Sequence, residues 1–383
     1  MTKPTKTMQR AACWWLAAVV LTMTAACGKQ SAESRHFGGD TLVLGHASLL
    51  CIVDCDSFTS VEIADAWNEG QLLQRYVLVD KSKPMPALHP EGIVVRTPIE
   101  RCVCLSAVHA ALLHELGAGT SVAGLCDASL ALSQALRESL LNRTTLDMGE
   151  AMMPHTEAIA ALQCEAILAS PFRNNTYGAI AKLGIPIIEC ADYMESSPLG
   201  RAEWAKFFGL LFGRRQAAFD LFEKVSQTYD SLSSLIPPTA QGPTLLADKK
   251  MGAVWYVPGA ESTMGRLYKD GGASYIFSHE HKRGSVALNL EEVYERGREA
   301  DLWIIKYGAP HNISYASLRS EEPRYALFEA WKNKRIWGCN TMKKPFFEEV
   351  PFHPERYLHD VLVVCHPELF GPDEPTHFLE KLQ

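Results

Sequence analysis

What this 383-residue chain lacks narrows its nature first. Downstream of the N-terminus it has no apolar run of the ~18 residues that a membrane-spanning helix needs. It has no stripe of Lys and Arg interleaved with aromatics, and its formal net charge is −7, so nucleic acid is not an expected partner. A disulfide framework is missing too, although cysteine is not scarce. Of 11 cysteines, setting aside Cys13 and Cys27 near the N-terminus leaves an odd number. Cys102, Cys104, Cys126, Cys164, Cys190 and Cys365 sit among Val, Leu, Ile and Ala, where a thiol behaves as a small apolar group. Only Cys51 and Cys55, in "CIVDC", are candidates for a bond. What the chain does have is 47% hydrophobic residues, enough for sizeable cores in two ordinary domains.

The first residues read as an export signal over 1–26: a basic start with Lys3, Lys6 and Arg10, an apolar middle, and small residues at the junction. Cys27 follows "TAA" and resembles the processed, lipidated cysteine of bacterial lipoproteins, with Thr24 where Leu is usual. Residues 27–40 are small and polar, as a flexible tether should be.

From 41 to 97 short strand-like runs, broken by the Pro-rich "KSKPMPALHPEG", predict a small antiparallel β extension. From 98 to 197 strands and helices alternate, which predicts a lobe with a mainly parallel, helix-covered sheet. In 198–236, apolar residues at Trp204, Phe207, Phe208, Leu211, Ala218, Leu221, Phe222, Val225, Tyr229 and Leu232 fall on one helical face. That spacing predicts one long helix with a weak point at Gly213. A second alternating block fills 237–383. The expected fold is therefore α/β: two lobes bridged by a single helix.

"RCVCLSAVHAALLHEL" places two cysteines and two histidines close together. Cys102 and Cys104 share one face of a strand, whereas His109 and His114 lie about 140° apart on the following helix. The four do not converge as zinc ligands would, so the stretch reads as a buried strand entering a helix. Ser106 stands at the carboxyl end of that strand, where open α/β sheets bind ligands and where a helix needs an N-cap.

Five segments in order, "IERCVCLSAVHAALLHELGAGTSVAGLCD", "PHTEAIAALQCEAILAS", "LGIPIIE", "WYVPGAESTMGRLYKDGGASYIF" and "LNLEEVYERGREADLWII", carry a resemblance. The chain resembles the substrate-binding proteins of iron-chelate and vitamin B12 ABC importers, most of all lipoprotein members from Bacteroidetes-type bacteria. The resemblance spans about Arg96 to Leu369. It implies two α/β lobes on a rigid bridging helix, with ligand held between them. The cargo would be an iron–siderophore, haem or cobalamin, delivered to an ABC permease and its ATPase. It implies no catalysis and no resident cofactor or metal. A lipid-anchored protein facing the periplasm would follow, with an outer-membrane receptor system as a further partner. Permease docking falls to Glu157 in "PHTEAIAAL" and to Asp270 in "LYKDGG", where Lys269 stands in place of the family acid. Crevice-facing candidates are Ser106, His109, Phe172 and Arg173 from the first lobe, and Trp255, Tyr256, Lys306 and Tyr307 from the second. Aromatics suit a large flat chelate, and Arg173 and Lys306 suit a carboxylate or catecholate. Three other readings remain at this point. A Zn²⁺ or Mn²⁺ receptor would need His and carboxylate ligands converging from both lobes, and His281, His311 and His353 are scattered along the chain. A tetrapyrrole chelatase would need a His and a Glu in the cleft, an arrangement that His109 and His114 do not supply, and a pure interaction or scaffold protein is the fallback.

Overall fold

The computed structural model describes residues 38–237, 241–371 and 373–383. The export signal and Cys27 lie outside the described residues. The first lobe is built on five parallel strands in the order Ile187–Glu189, Ala166–Ala169, Cys102–Cys104, Val122–Leu125 and Leu146–Asp147. Cys102, Val103 and Cys104 are all buried, so the strand is two-faced core, as its apolar composition requires. The second lobe has the order Ser274–Tyr275, Thr244–Ala247, Leu302–Tyr307, Ile336–Asn340 and Glu380–Lys381, parallel except for the last edge. A separate antiparallel sheet of three strands carries Val254–Pro258.

The N-terminal extension is a five-stranded sheet over residues 40–97. It departs from the antiparallel expectation at one pairing. Leu72–Asp80 and Ile93–Thr97 run parallel, because the Pro-rich loop between them crosses back instead of turning. The extension is also not a separate module. Ile52, Val61 and Tyr76 share one core cluster with Cys102, Leu112 and Trp204. Two carboxylates fasten it to the first lobe. Glu195 accepts the backbone N–H groups of Ser48 and Leu49 at 3.0 and 2.9 Å, and Glu203 accepts those of His46 and Ala47, both at 2.8 Å. Burial would raise the pKa of Glu203. Lys206 and those N–H groups outweigh it, holding the carboxyl below its ordinary range.

The bridge corrects the single-helix expectation. The segment is helical but in three pieces, Pro198–Glu203, Ala205–Leu211 and Arg215–Ser233. Gly213 adopts φ 65° at the sharp turn, and Gly209 lets the flanking helices touch, since a Cβ there would meet the Ala218 Cβ at 2.5 Å. The bridging element proper is the 19-residue helix, ~28 Å long at 1.5 Å per residue. Ala218 packs in the first lobe's core, and Phe222, Val225 and Tyr229 pack in the second's. Cys51 and Cys55 are both free, so the suspected bond is not formed.

Replacing Gly213 by Ala should lower stability by roughly 1–2 kcal/mol, the cost of a left-handed backbone for a residue with a Cβ. Its Cβ would also press on Pro98 at 3.1 Å. Urea unfolding of the variant checks this, and an unchanged midpoint would contradict it.

Candidate ligand-binding site

Two chambers lie between the lobes. The first, of about 330 Å³, is lined by Val108, by Arg201 from the start of the bridge, and by Asp248, Arg283 and Lys306 of the second lobe. The second, of about 270 Å³, is lined by Ser106, Asp127 and Leu130 on one side and Met342, Lys344 and Glu348 on the other. Val108 and Phe347 line both and form the waist between them.

Three of the polar wall residues, Ser106, Arg201 and Lys306, have partners beside them. Ser106 caps the helix Ala107–Glu115, its Oγ accepting the Val108 N–H at 3.3 Å. Arg201 donates through Nε to Asp192 at 3.0 Å, which leaves its Nη groups for the chamber. The other Asp192 oxygen lies 2.9 Å from His109 Nε2, and the His109 ring stacks on Phe208 with centroids 5.3 Å apart. Burial alone would raise the Asp192 pKa. Arg201 and His109 reverse that, so a fully buried carboxylate stays ionised. Lys306, near the end of the central strand, has its Nζ 2.8 Å from Asp248 Oδ1 and donates to the Tyr268 hydroxyl at 3.3 Å. Burial opposes its charge, but Asp248 and Tyr268 outweigh burial and raise its pKa. Arg283 is exposed and has no ion-pair partner among the described residues. The first chamber thus carries three cations against the single carboxylate of Asp248 in its lining.

Two polar clasps close the cleft. Glu348 of the second lobe accepts the backbone N–H groups of Leu132 and Ser133 in the first, at 2.5 and 2.7 Å. His353 Nε2 reaches both oxygens of Glu115 across the cleft at 2.9 Å, while its Nδ1 lies 2.9 Å from Glu355. Burial would lower the His353 pKa, but the two carboxylates outweigh it and push it up to about 9.

The structure brings only some of the sequence candidates to this site. Ser106 and Lys306 line the chambers. Trp255 does not: it is fully buried, stacked on Trp303 at 5.6 Å, with its Nε1 donating to the Ala247 carbonyl at 3.0 Å. His109 is likewise buried behind Arg201 instead of facing ligand. Tyr307 is buried too, its hydroxyl accepting the Ile313 N–H at 3.2 Å. Phe172, Arg173 and Tyr256 are exposed but line neither chamber. Glu157 is exposed in the first turn of Thr156–Ala161. Asp270 is half-buried and accepts the Tyr229 hydroxyl at 2.7 Å, and burial raises its pKa. The residues that sequence reasoning missed are Arg201, Asp248, Arg283 and the run "TMKKPFFEEVPFHPE". The signal for Asp248 was present, because it directly follows the strand Thr244–Ala247.

The profile of the periplasmic binding protein family matches residues 102–341, more than half of the chain, and the chain belongs to that family. Membership makes it a substrate-binding protein and not an enzyme. It is 26% identical over 328 residues to an uncharacterized lipoprotein of Methanocaldococcus jannaschii, covering 80% of this chain and 76% of that one. A second uncharacterized lipoprotein of the same organism is 21% identical over 337 residues, covering 83% and 84%. Among solved structures, a periplasmic heme binding protein from Pseudomonas aeruginosa superposes with a TM-score of 0.57 at 14% identity. It covers 74% of this chain and 98% of that one. The Fe³⁺–Desferal-bound siderophore binding protein from Vibrio cholerae gives 0.54 at 16% identity, covering 70% and 100%.

The His353 clasp sets a pH dependence. Its folded pKa stands above the unfolded value of ~6.5, so its contribution is complete below that and fades as pH rises toward 9. His353→Gln should cost most near pH 6. The gap to wild type should shrink by about 2–3 kcal/mol by roughly pH 9.5. Denaturant melts across that range check it, and a gap independent of pH would remove the charged clasp.

Proposed function

We propose that the chain is an exported, lipid-anchored receptor that captures an anionic metal chelate between its lobes and passes it to an ABC permease. Haem and ferric siderophores fit best, with cobalamin next. The observation that carries this reading is the first chamber: three cations, two of them held in place by carboxylates, within an apolar frame of Val108, Met264, Leu267 and Phe347. Propionates, catecholates and hydroxamates offer oxygens to such cations, and the frame suits the organic body of the ligand. The haem- and siderophore-binding proteins with a similar fold point the same way.

The competing readings lose support at the same place. No histidine or cysteine is among the residues lining either chamber. A bare Zn²⁺ or Mn²⁺ would meet Arg and Lys beside the one carboxylate of the first chamber, and a chelatase would lack the cleft histidine it needs. His353 is spent on the clasp, while His281 and His311 line neither chamber.

For delivery, Glu157 supplies an exposed acid on the first lobe for a permease arginine. On the second lobe Asp270 is the matching acid, though its carboxylate is shared with Tyr229. Such rim charges would set encounter and register more than affinity. Anchoring rests on Cys27, with two lipoprotein relatives in support.

Calorimetric titration with haem, cobalamin, a ferric hydroxamate and a ferric catecholate tests the reading. One of them should bind one-to-one with Kd below about 10 μM, and failure of all four would sink it. Arg201→Ala should weaken that ligand by roughly 10–100-fold, the range of a lost charged hydrogen bond. Cys27→Ser should move the protein from the membrane to the soluble fraction of an expressing cell. Unchanged membrane retention would refute lipid anchoring at that residue.

A further inference from the structure

The second lobe gathers two histidines and two carboxylates that the transport reading does not use, and none of them lines either chamber. His359 and Asp360 lie on the helix Pro354–Cys365. Glu374 and His377 come from the C-terminal segment that folds back over it toward the edge strand Glu380–Lys381. Among the described residues, His359, Asp360 and His377 are the group whose ligand atoms could hold a metal ion, all within 4.8 Å of one another. Asp360 Oδ1 stands 3.2 Å from His377 Nδ1 and 3.8 Å from His359 Nδ1. Ligands ~2.0–2.1 Å from a tetrahedral zinc stand ~3.3 Å apart, between these two edges.

The wiring around the cluster distinguishes a metal site from a chance ion pair. His359 Nε2 lies 3.1 Å from Glu374 Oε1. A proton held there leaves the lone pair on Nδ1. That Nδ1 is buried and has no hydrogen-bond partner, and 3.8 Å to Asp360 is beyond hydrogen-bonding reach. A carboxylate on one imidazole nitrogen and an unpartnered lone pair on the other is the outer-shell pattern of metal-ligating histidines. Asp360 is equally fixed. Its Oδ2 accepts the Phe378 and Leu379 N–H groups at 2.7 and 2.9 Å, and its Oδ1 accepts the His377 N–H at 2.7 Å. The His377 side chain is 47% exposed, so a fourth corner opens to water.

We propose that His359, Asp360 and His377 bind a zinc ion, with Glu374 orienting His359. Two imidazoles and one carboxylate with an open corner match the ligand preference of Zn²⁺. The ion ties the C-terminal segment to the helix Pro354–Cys365. It thereby braces the edge strand that pairs with Ile336–Asn340, the strand leading into the cleft loop.

The test strips the full chain with EDTA and titrates it with Zn²⁺ against a chromophoric chelator, with elemental analysis for stoichiometry. One zinc per chain is expected. His377→Ala, at a half-exposed position, should weaken binding at least tenfold and abolish the zinc-dependent rise in melting temperature. Glu374→Gln should weaken it by roughly 10–100-fold, the usual effect of losing an outer-shell partner. Asp248→Asn, at the carboxylate of the first chamber, should leave zinc affinity unchanged. No bound zinc, or zinc retained at full affinity by both His377→Ala and Glu374→Gln, would overturn the proposal. Loss of zinc in Asp248→Asn would overturn it too, by moving the ion to the cleft.

Discussion

Two lobes become one binding site through a carboxylate that crosses between them. The helix Gln134–Leu141 in the first lobe begins at Ser133, whose side chain makes no capping hydrogen bond. Glu348 of the second lobe supplies an acceptor at that helix start through the Leu132 and Ser133 N–H groups. A negative charge there also meets the positive end of the helix dipole. The contact therefore satisfies the first lobe's backbone with a side chain from the second. Phe347, next to Glu348, is fixed at the waist of the cleft as a consequence. Phe352, further along the same loop, inserts into the first lobe's core against Phe208. The His353–Glu115 pair closes the loop's far end. Residues 341–354 thus belong to the second lobe by sequence and to both lobes by packing.

At the cleft the same economy recurs: two carboxylates, one buried and one in the chamber wall, orient cations. Asp192 engages only Nε of Arg201, and Asp248 holds Lys306 at the end of its strand. Both cations are thus held in place without a ligand, and on the proposed function that reduces the ordering cost of capture. The bridge serves the same end. Its 19-residue helix is rooted in both cores, so the lobes share a stiff spine while the clasps act at the opposite contact.

Much of this was legible in the sequence. The strand–helix alternation, the apolar stripe of the bridge and the buried "CVC" follow from local pattern, and Ser106 and Lys306 follow from the rule that ligands meet strand ends. The remaining site residues were hidden for physical reasons. Trp255, His109 and Tyr307 occupy the right strands and helix, but side-chain direction alternates along a strand and rotates around a helix. One position's difference sends a ring into the core. Arg201 sits in the short helix before the bridge, a region whose periodicity reads only as packing. The run 341–354 has neither period, because its conformation is set by contacts with the other lobe. Gly213 was marked as a weak point, yet only the tertiary approach of Gly209 to Ala218 decides that the helix breaks there.

The central claim is that ligand is held by both lobes at once, against the loop that joins them. Hydrogen–deuterium exchange of the full chain, with and without the chelate it binds, tests this most directly. The account predicts simultaneous slowing around Ser106–Val108, around Arg201 and across residues 341–354. Protection confined to one lobe, or lying outside all three segments, would contradict it.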